Sequence, residues 1–234
     1  MATTTTLTWL GHAAFRIDTP AGKRIYVDPF LTGNPSCPPA ELEPDRVDAI
    51  LVTHGHDDHV GDTVRLAQAF ACPVIAQVEL RLWLAGQMHQ EGDMSQALNK
   101  GGGREVAGVH VTLTHANHSS STSDGTYAGE SCGMVLEIPD GPVVYFAGDT
   151  NLFGDMALVA RVYSPDVAVL PIGDHFTMGP REAAVAAELV AAKRVVPTHY
   201  GTFPLLTGTP EAFEELLPDG FELLVPAAGE TVEL

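Results

Sequence analysis

Three of the chain's ten histidines fall within six residues, in the run HGHDDH at positions 54–59. Imidazole and carboxylate groups together are ligands that suit zinc, manganese or iron. In an extended turn, residues i and i+2 point to the same side, so His54 and His56 can share one metal ion. Asp58 and His59 follow after the chain bends and can reach a second ion nearby. The run therefore predicts a metal site.

The elements that flank this run predict where it lies in the fold. Residues 48–53 form a short apolar and partly β-branched segment, which is typical of a buried strand. After the run, Leu66, Ala69 and Phe70 recur at helical spacing and predict a helix over Val60–Phe70. In open α/β sheets, ligands bind where a strand ends and a helix begins. The histidines occupy such a position.

The sequence also contains an internal repeat. A strand, a turn, a second strand and a terminal aspartate occur over Phe15–Asp28 and again over Met134–Asp149. The two terminal aspartates are 121 residues apart, and the apolar strands that start at Asp48 and Asp166 are 118 residues apart. Two related halves of this kind predict two sheets packed face to face with helices outside. The metal site would then lie at one edge between the sheets.

Further helices are predicted over Glu79–His89, over Pro180–Ala192 and after the N-cap residue Thr209. No linker is long enough to divide the chain, so we expect one domain over residues 1–234.

The composition excludes several classes of function. Twelve Lys and Arg against 30 Asp and Glu give a net charge of −18. Nucleic acids and anionic membranes are bound through Lys and Arg, so neither is expected as a partner. No stretch approaches the roughly 18 apolar residues of a membrane span, and the first residues lack the pattern of a secretory signal. The scattered cysteines Cys37, Cys72 and Cys132 predict reduced thiols in a cytoplasmic protein.

The run at 54–59 after an apolar strand resembles the signature of the metallo-β-lactamase superfamily. The family's other metal motifs are matched, in the same order along the chain, by Asp28, His118, Asp149 and His199. The sequences WLGHA at 9–13 and FTMGP at 176–180 resemble an uncharacterised metal-dependent hydrolase branch related to ascorbate-6-phosphate lactonase. The resemblance implies an α/β (α+β) fold, a four-layer αββα sandwich with two pseudo-symmetric halves.

The resemblance also implies a centre with two divalent metal ions, with Zn²⁺ expected and Mn²⁺ or iron as alternatives. The first ion would be bound by His54, His56 and His118, the second by Asp58, His59 and His199, and Asp149 would bridge. Two such ions clamp a hydroxide and polarise the scissile bond. Asp58 is predicted to be catalytic because it would orient that hydroxide while binding the second ion. His115 is the alternative to His118, which directly precedes a pair of serines as in the family.

Four further residues are predicted to support the ligands or to contact substrate: Asp28, His12, His175 and Tyr200. Asp28 would orient a ligating histidine, or else form a turn. His12 and His175 would contact substrate, or else be half-buried structural residues. Tyr200 would be an acid or a packing residue. Residues 28–35 are predicted to form a substrate loop.

The function that these observations favour is hydrolysis of a small ester, lactone or phosphodiester. The alternatives are a nucleic-acid-processing nuclease and a non-catalytic metal-binding protein of the same fold. A nuclease is disfavoured by the net charge of −18, and a non-catalytic protein by the complete ligand set. An iron-containing electron-transfer branch of the family usually carries Glu at the position of His56, so the histidine at this position disfavours that branch. The expected partner is a small-molecule substrate, and a homo-oligomer is compatible with the sequence.

Overall fold

The chain folds into two seven-stranded β-sheets. The computed structural model describes residues 4–90 and 94–234. The strands are β1 (Thr6–Trp9), β2 (Phe15–Asp18), β3 (Arg24–Val27), β4 (Ala49–Leu51), β5 (Val74–Gln77), β6 (Ala97–Leu98), β7 (Gly103–Val106), β8 (Val109–His115), β9 (Cys132–Glu137), β10 (Val143–Phe146), β11 (Val167–Pro171), β12 (Arg194–Thr198), β13 (Glu222–Leu223) and β14 (Thr231–Glu233). The first sheet has the order β14-β1-β2-β3-β4-β5-β6, and the second has the order β13-β12-β11-β10-β9-β8-β7.

Helices cover the outer face of each sheet. They are α1 (Asp57–Val60), α2 (Thr63–Phe70), α3 (Val78–Gln87), α4 (Met156–Tyr163), α5 (Pro180–Val190) and α6 (Pro210–Glu214), with short 3₁₀ turns at Pro39–Glu41 and Met94–Gln96. Apolar residues of α2 and α3 pack on the first sheet, and those of α4, α5 and α6 pack on the second. The prediction of a four-layer αββα sandwich is confirmed.

The central strands are buried on both faces because alternate residues enter different layers. On β3, Ile25 and Val27 pack between the two sheets, whereas Tyr26 packs toward the helices. On β10, Phe146 lies between the sheets and Tyr145 packs toward the helices. The buried positions of these strands are apolar on both faces, and the sequence shows them as short apolar runs.

The internal repeat of the sequence is a repeat of topology. In the first half, β2 and β3 form an antiparallel pair and β3 runs parallel to β4. In the second half, β9, β10 and β11 have the same arrangement. Asp28 and Asp149 end the two equivalent strands and approach the same imidazole, that of His59, at 2.8 Å and 3.3 Å. The sequence therefore predicted correctly that the two halves bring these aspartates to one edge.

The helix predicted over Val60–Phe70 corresponds to α2, and the separate short helix α1 precedes it. The first helix ends at Val60 and the second begins at Thr63. Between them Gly61 has φ of 40°, and a Cβ there would lie 2.5 Å from the carbonyl oxygen of Pro29. The chain bends because the backbone must pass close to the preceding loop at this point.

The remaining predicted helices lie near their expected positions, and α4 was not predicted. The helix after Thr209 is only Pro210–Glu214, and the Thr209 hydroxyl accepts a hydrogen bond from the N–H of Ala212 at 3.2 Å.

Gly173 is expected to accept no side chain without a loss of stability. A Cβ at this position would lie 1.9 Å from the carbonyl oxygen of His199, and that backbone cannot move freely. We expect Gly173→Ala to lower the free energy of unfolding by about 1–3 kcal/mol, measured by urea denaturation. Gly154→Ala is the matched control, since its Cβ would meet nothing within 4 Å. Equal effects of the two variants would contradict the steric explanation.

Candidate metal centre

The metal-motif residues converge at one edge between the two sheets. Most of them lie within five residues after the end of a strand: Asp28 after β3, His54 and His56 after β4, His118 after β8, Asp149 after β10 and His199 after β12. Asp58 and His59 lie in the short helix α1. Strand β8 runs parallel to β10, because each pairs antiparallel with β9. The fold therefore brings candidate ligands from both halves to the same place.

The first group of donors consists of His54, His56 and His118. The His54 Nε2 and His56 Nδ1 atoms are 3.0 Å apart. The ring centroid of His118 lies 5.2 Å and 5.1 Å from those of the other two. One nitrogen from each residue lies within 4.8 Å of the others. Bonds of about 2.1 Å to a tetrahedral zinc ion separate the donors by about 3.4 Å, so this group has the dimensions of one ion site.

The second group contains Asp58, His59 and His199. The Asp58 Oδ2 atom lies 3.9 Å from His59 Nε2 and 3.7 Å from His199 Nε2. Asp149 lies between the two groups. Its Oδ2 atom is 3.1 Å from His199 Nε2, 3.3 Å from His59 Nε2 and 3.6 Å from His118 Nε2. One carboxylate oxygen therefore reaches donors of both groups.

The electrostatics of this edge favour positive charge. Burial raises the pKa of Asp149, but the adjacent His199 and His59 outweigh this effect and hold the pKa well below its usual value. Burial lowers the pKa of His199, but Asp149 and Asp58 outweigh it and raise the pKa to about 9. Asp149 is buried and Asp58 is half-buried, so two carboxylates in this one place need compensating cations.

The residues fit a metal ion by a further criterion. The Nε2 atom of His59 is buried, and within the described part of the chain it makes no well-aligned hydrogen bond, although Asp149 Oδ2 lies 3.3 Å away. A buried polar atom left without a partner costs about 1–3 kcal/mol. A divalent ion among these donors would give this nitrogen a partner, so the donor set suits a metal both chemically and sterically.

Asp28 orients His59. Its Oδ1 atom accepts from the N–H of Thr53 at 2.8 Å, and its Oδ2 atom accepts from the Thr53 hydroxyl at 2.7 Å. The same Oδ2 accepts from Nδ1 of His59 at 2.8 Å. Because an ionised carboxylate only accepts hydrogen bonds, His59 carries a proton on Nδ1, and its Nε2 faces the two donor groups.

His12 is buried beneath Asp58. Its Nε2 donates to Asp58 Oδ2 at 2.9 Å, and its ring lies 4.1 Å from that of His199. Its carbonyl oxygen accepts from Trp9 Nε1 and the Thr198 hydroxyl, both at 2.8 Å, and from the N–H of His199 at 3.2 Å. Burial lowers the pKa of His12 to about 4, despite the hydrogen bond to Asp58. His12 is within 4.8 Å of the second donor group and faces that group.

The other candidates lie outside the two donor groups. His175 is exposed, and its ring packs edge-on against Phe176 at 4.4 Å. Tyr200 stacks on Trp9 with the ring centroids 5.0 Å apart, and burial raises its pKa to about 12. His115 is exposed, and its Nε2 contacts Asn117 Oδ1 at 3.1 Å.

A cavity of about 350 Å³ opens over both donor groups. It is lined by His56, Asp58, His118, Ser119, Asp149, Phe176 and His199. Sequence reasoning did not identify Ser119 or Phe176 as site residues, although Phe176 belongs to the FTMGP motif. The predicted substrate loop at 28–35 does not contribute to this lining. Its backbone is held instead by Asp62, which accepts the N–H groups of Leu31 and Thr32 at 3.0 Å and 2.7 Å.

Comparison with known proteins identifies the family. Residues 23–200 match the family described as Beta-lactamase superfamily domain. The chain belongs to this family. It is 53% identical over 219 residues to a UPF0173 metal-dependent hydrolase of Herpetosiphon aurantiacus, with 91% of this chain and 90% of the relative covered. It is 45% identical over 230 residues to a metal-dependent hydrolase of Thermococcus onnurineus, with 97% and 98% covered.

A solved structure of the superfamily has the same architecture. The metallo hydrolase Igni18 from the hyperthermophilic archaeon Ignicoccus hospitalis superposes with a TM-score of 0.86 at 34% identity, with 99% of this chain and 98% of that chain covered. The chain is a metal-dependent hydrolase of the metallo-β-lactamase fold, as the sequence predicted. Within residues 4–90 and 94–234, no helix combines the length and hydropathy that a membrane span requires.

Proposed function

We propose that this metal-dependent hydrolase has a dinuclear metal centre and hydrolyses a small ester, lactone or phosphodiester. The observation that carries the proposal is the position of Asp149, whose Oδ2 lies 3.1–3.6 Å from nitrogens of both donor groups. Zn²⁺ is the proposed ion, and Mn²⁺ or iron would suit the same imidazole and carboxylate donors.

Each donor group would hold one ion. The proposed ligands are His54, His56 and His118 for the first ion, Asp58, His59 and His199 for the second, and Asp149 for both. When bound, the ions polarise a carbonyl or phosphoryl oxygen and lower the pKa of a coordinated water.

Asp58 is the proposed catalytic residue. Its side chain is 31% exposed, whereas that of Asp149 is 4% exposed, so Asp58 is the carboxylate that solvent and substrate reach. Burial raises the pKa of Asp58, but His59, His12 and His199 outweigh it and hold the pKa below its usual value. An ionised Asp58 accepts a hydrogen bond from the attacking water and orients it. His12 fixes the carboxylate from behind, and Asp28 fixes the ring of His59.

Metal content and turnover test this proposal together. We expect purified protein reconstituted with Zn²⁺ to hold about two ions per chain by mass spectrometry. It should hydrolyse members of a panel of carboxylic esters, lactones and phosphodiesters, and lose this activity on dialysis against dipicolinate. A single ion at saturation would contradict the dinuclear centre. Full metal loading without turnover would favour the non-catalytic alternative, and cleavage of single-stranded DNA in the same panel would favour the nuclease.

The cysteines are not expected to take part. Burial raises the pKa of the Cys37 and Cys72 thiols to about 11 and that of Cys132 to about 12, so all three are neutral thiols near pH 7. Since the thiolate is the nucleophilic form, iodoacetamide should leave kcat/KM within about twofold of the untreated enzyme. Loss of turnover with the metal still bound would require a thiolate nucleophile instead.

The cytoplasmic location and the homo-oligomer stay predictions.

A further inference from the structure

One wall of the cavity is formed by an exposed aromatic ring. Phe176 is 54% exposed and lines the cavity together with the two donor groups. It lies between β11 and α5, in the connection that follows the buried strand of the second half. An exposed phenyl ring beside polar metal ligands loses the burial that usually stabilises it.

The exposure of Phe176 is built into its segment. Asp174 and His175 both have a left-handed backbone, with φ of 64° and 59°. The N–H of Asp174 donates to the carbonyl of Met178 at 3.0 Å, and the N–H of Met178 donates to the carbonyl of Thr150 at 3.1 Å. Strained, well-bonded segments of this kind are concentrated at functional sites. The fold thus fixes the ring at the cavity next to the chain that carries Asp149.

A neighbouring segment adds a second apolar surface. Phe203 is 38% exposed, and its ring packs against His12 with the centroids 5.4 Å apart. The two segments are joined by a hydrogen bond from the N–H of Gly208 to the carbonyl of Gly173 at 3.2 Å. Aromatic side chains are therefore held beside the metal centre by two connected loops.

The same cavity has no lysine or arginine among the described residues that form its lining. Its carboxylates are those of Asp58 and Asp149, and its histidines belong to the donor groups that would hold the ions. Arginine and lysine are the side chains that bind phosphate groups in proteins. Many of the chain's basic residues are paired elsewhere, such as Arg16 with Glu41 and Lys100 with Glu130. Apart from the bound ions, a phosphodiester anion would thus meet carboxylates and an apolar wall, and no Lys or Arg side chain of the described lining would bind its phosphate oxygens.

We propose that the cavity takes a small, uncharged carbonyl substrate, an ester or a lactone, whose apolar substituent packs against Phe176. This inference rests on the proposed function and narrows it, because it excludes the phosphodiester class. The reacting carbonyl would lie at the two donor groups, where bound ions would polarise it, and Phe176 would select the substituent.

The first test measures binding, with alkyl hydroxamates as probes, because their neutral alkyl chain is attached to a metal-binding head. Isothermal titration of the zinc-loaded protein would compare acetohydroxamate with hexanohydroxamate. Each fully buried methylene strengthens binding roughly fourfold, so partial burial of the four additional methylenes should give a ratio of about 10 or more. Phe176→Ala should lower this ratio to about 3 or less, with the affinity for acetohydroxamate unchanged.

Two variants control for general effects. Phe176→Leu retains an apolar side chain and should keep most of the chain-length ratio. Leu158→Ala removes a side chain that is 50% exposed on α4, outside this cavity, and should leave the ratio at its wild-type value. A ratio that Phe176→Ala leaves unchanged, or that Leu158→Ala lowers equally, would overturn the assignment of the apolar wall.

The second test is turnover by the same zinc-loaded protein. For each substrate, kcat/KM would be divided by the rate constant of the uncatalysed hydrolysis. We expect this quotient to be about 100-fold or more larger for p-nitrophenyl butyrate than for bis(p-nitrophenyl) phosphate. A preference for the phosphodiester would overturn this inference and leave the metal-dependent hydrolase intact. Failure of loaded protein to bind acetohydroxamate would instead count against the metal centre of the proposed function, and this inference would fall with it.

Discussion

Replacing Asp58 by asparagine is expected to lower kcat for ester hydrolysis by about 100-fold or more. The amide has the shape of the carboxylate but carries no charge, and an NH2 group, which is a hydrogen-bond donor, replaces one of the two accepting oxygens. It would therefore hold both the second ion and the attacking water less well. Steady-state kinetics and metal content by mass spectrometry measure the two effects separately.

Asp57→Asn is the matched control for this variant. It makes the same change of charge one residue earlier, on an exposed side chain that does not line the cavity. The control should retain kcat within about twofold, since surface substitutions away from a site have small effects. If Asp58→Asn kept wild-type turnover, or if both variants lost it equally, Asp58 would not be the catalytic carboxylate.

Removal of both His54 and His56 should empty the first metal site. The double variant leaves His118 as the only remaining histidine of that group, and one imidazole beside a shared carboxylate cannot complete an ion's coordination. We expect zinc to fall from about two ions to about one per chain, and kcat/KM to fall by about 1,000-fold or more. Metal analysis and kinetics on the same preparation measure both.

His115→Ala controls for the loss of a histidine near the same edge. Its side chain is exposed and contacts Asn117 instead of the donor groups. It should keep both ions and most of the activity. Occupancy near two in the double variant, or loss of an ion from His115→Ala, would contradict the assignment of the first site.

The sequence predicted those parts of this protein that depend on local pattern. The run at 54–59 follows an apolar strand and precedes a helical pattern, so its place at a strand end could be inferred from neighbouring residues alone. The repeat that ends in Asp28 and Asp149 predicted two related halves, and the structure brings both aspartates to His59. Strands buried on both faces were readily predicted, because their buried positions form short apolar runs in the sequence.

The features that the sequence did not predict depend on contacts between distant segments. His12 was predicted as a supporting or substrate-contacting residue, but its backbone position depends on the hydroxyl of Thr198, which is 186 residues away and donates to its carbonyl oxygen. The break at Gly61 depends on the close passage of Pro29. The position of Phe176 depends on the hydrogen bond from the N–H of Met178 to the carbonyl of Thr150, whereas the sequence alone shows an apolar residue in a loop.

The position of Asp149 between the two donor groups also bears on how the molecule stays folded. His54 and His199 are separated by 145 residues and belong to opposite sheets, yet both lie within a few ångströms of this carboxylate. Ions bound here would therefore act as cross-links between the sheets as well as reagents. A ligand that binds only the native state adds about 2.7 kcal/mol of stability at 100 times its Kd. The melting temperature of this protein should then rise as the free zinc concentration around it rises.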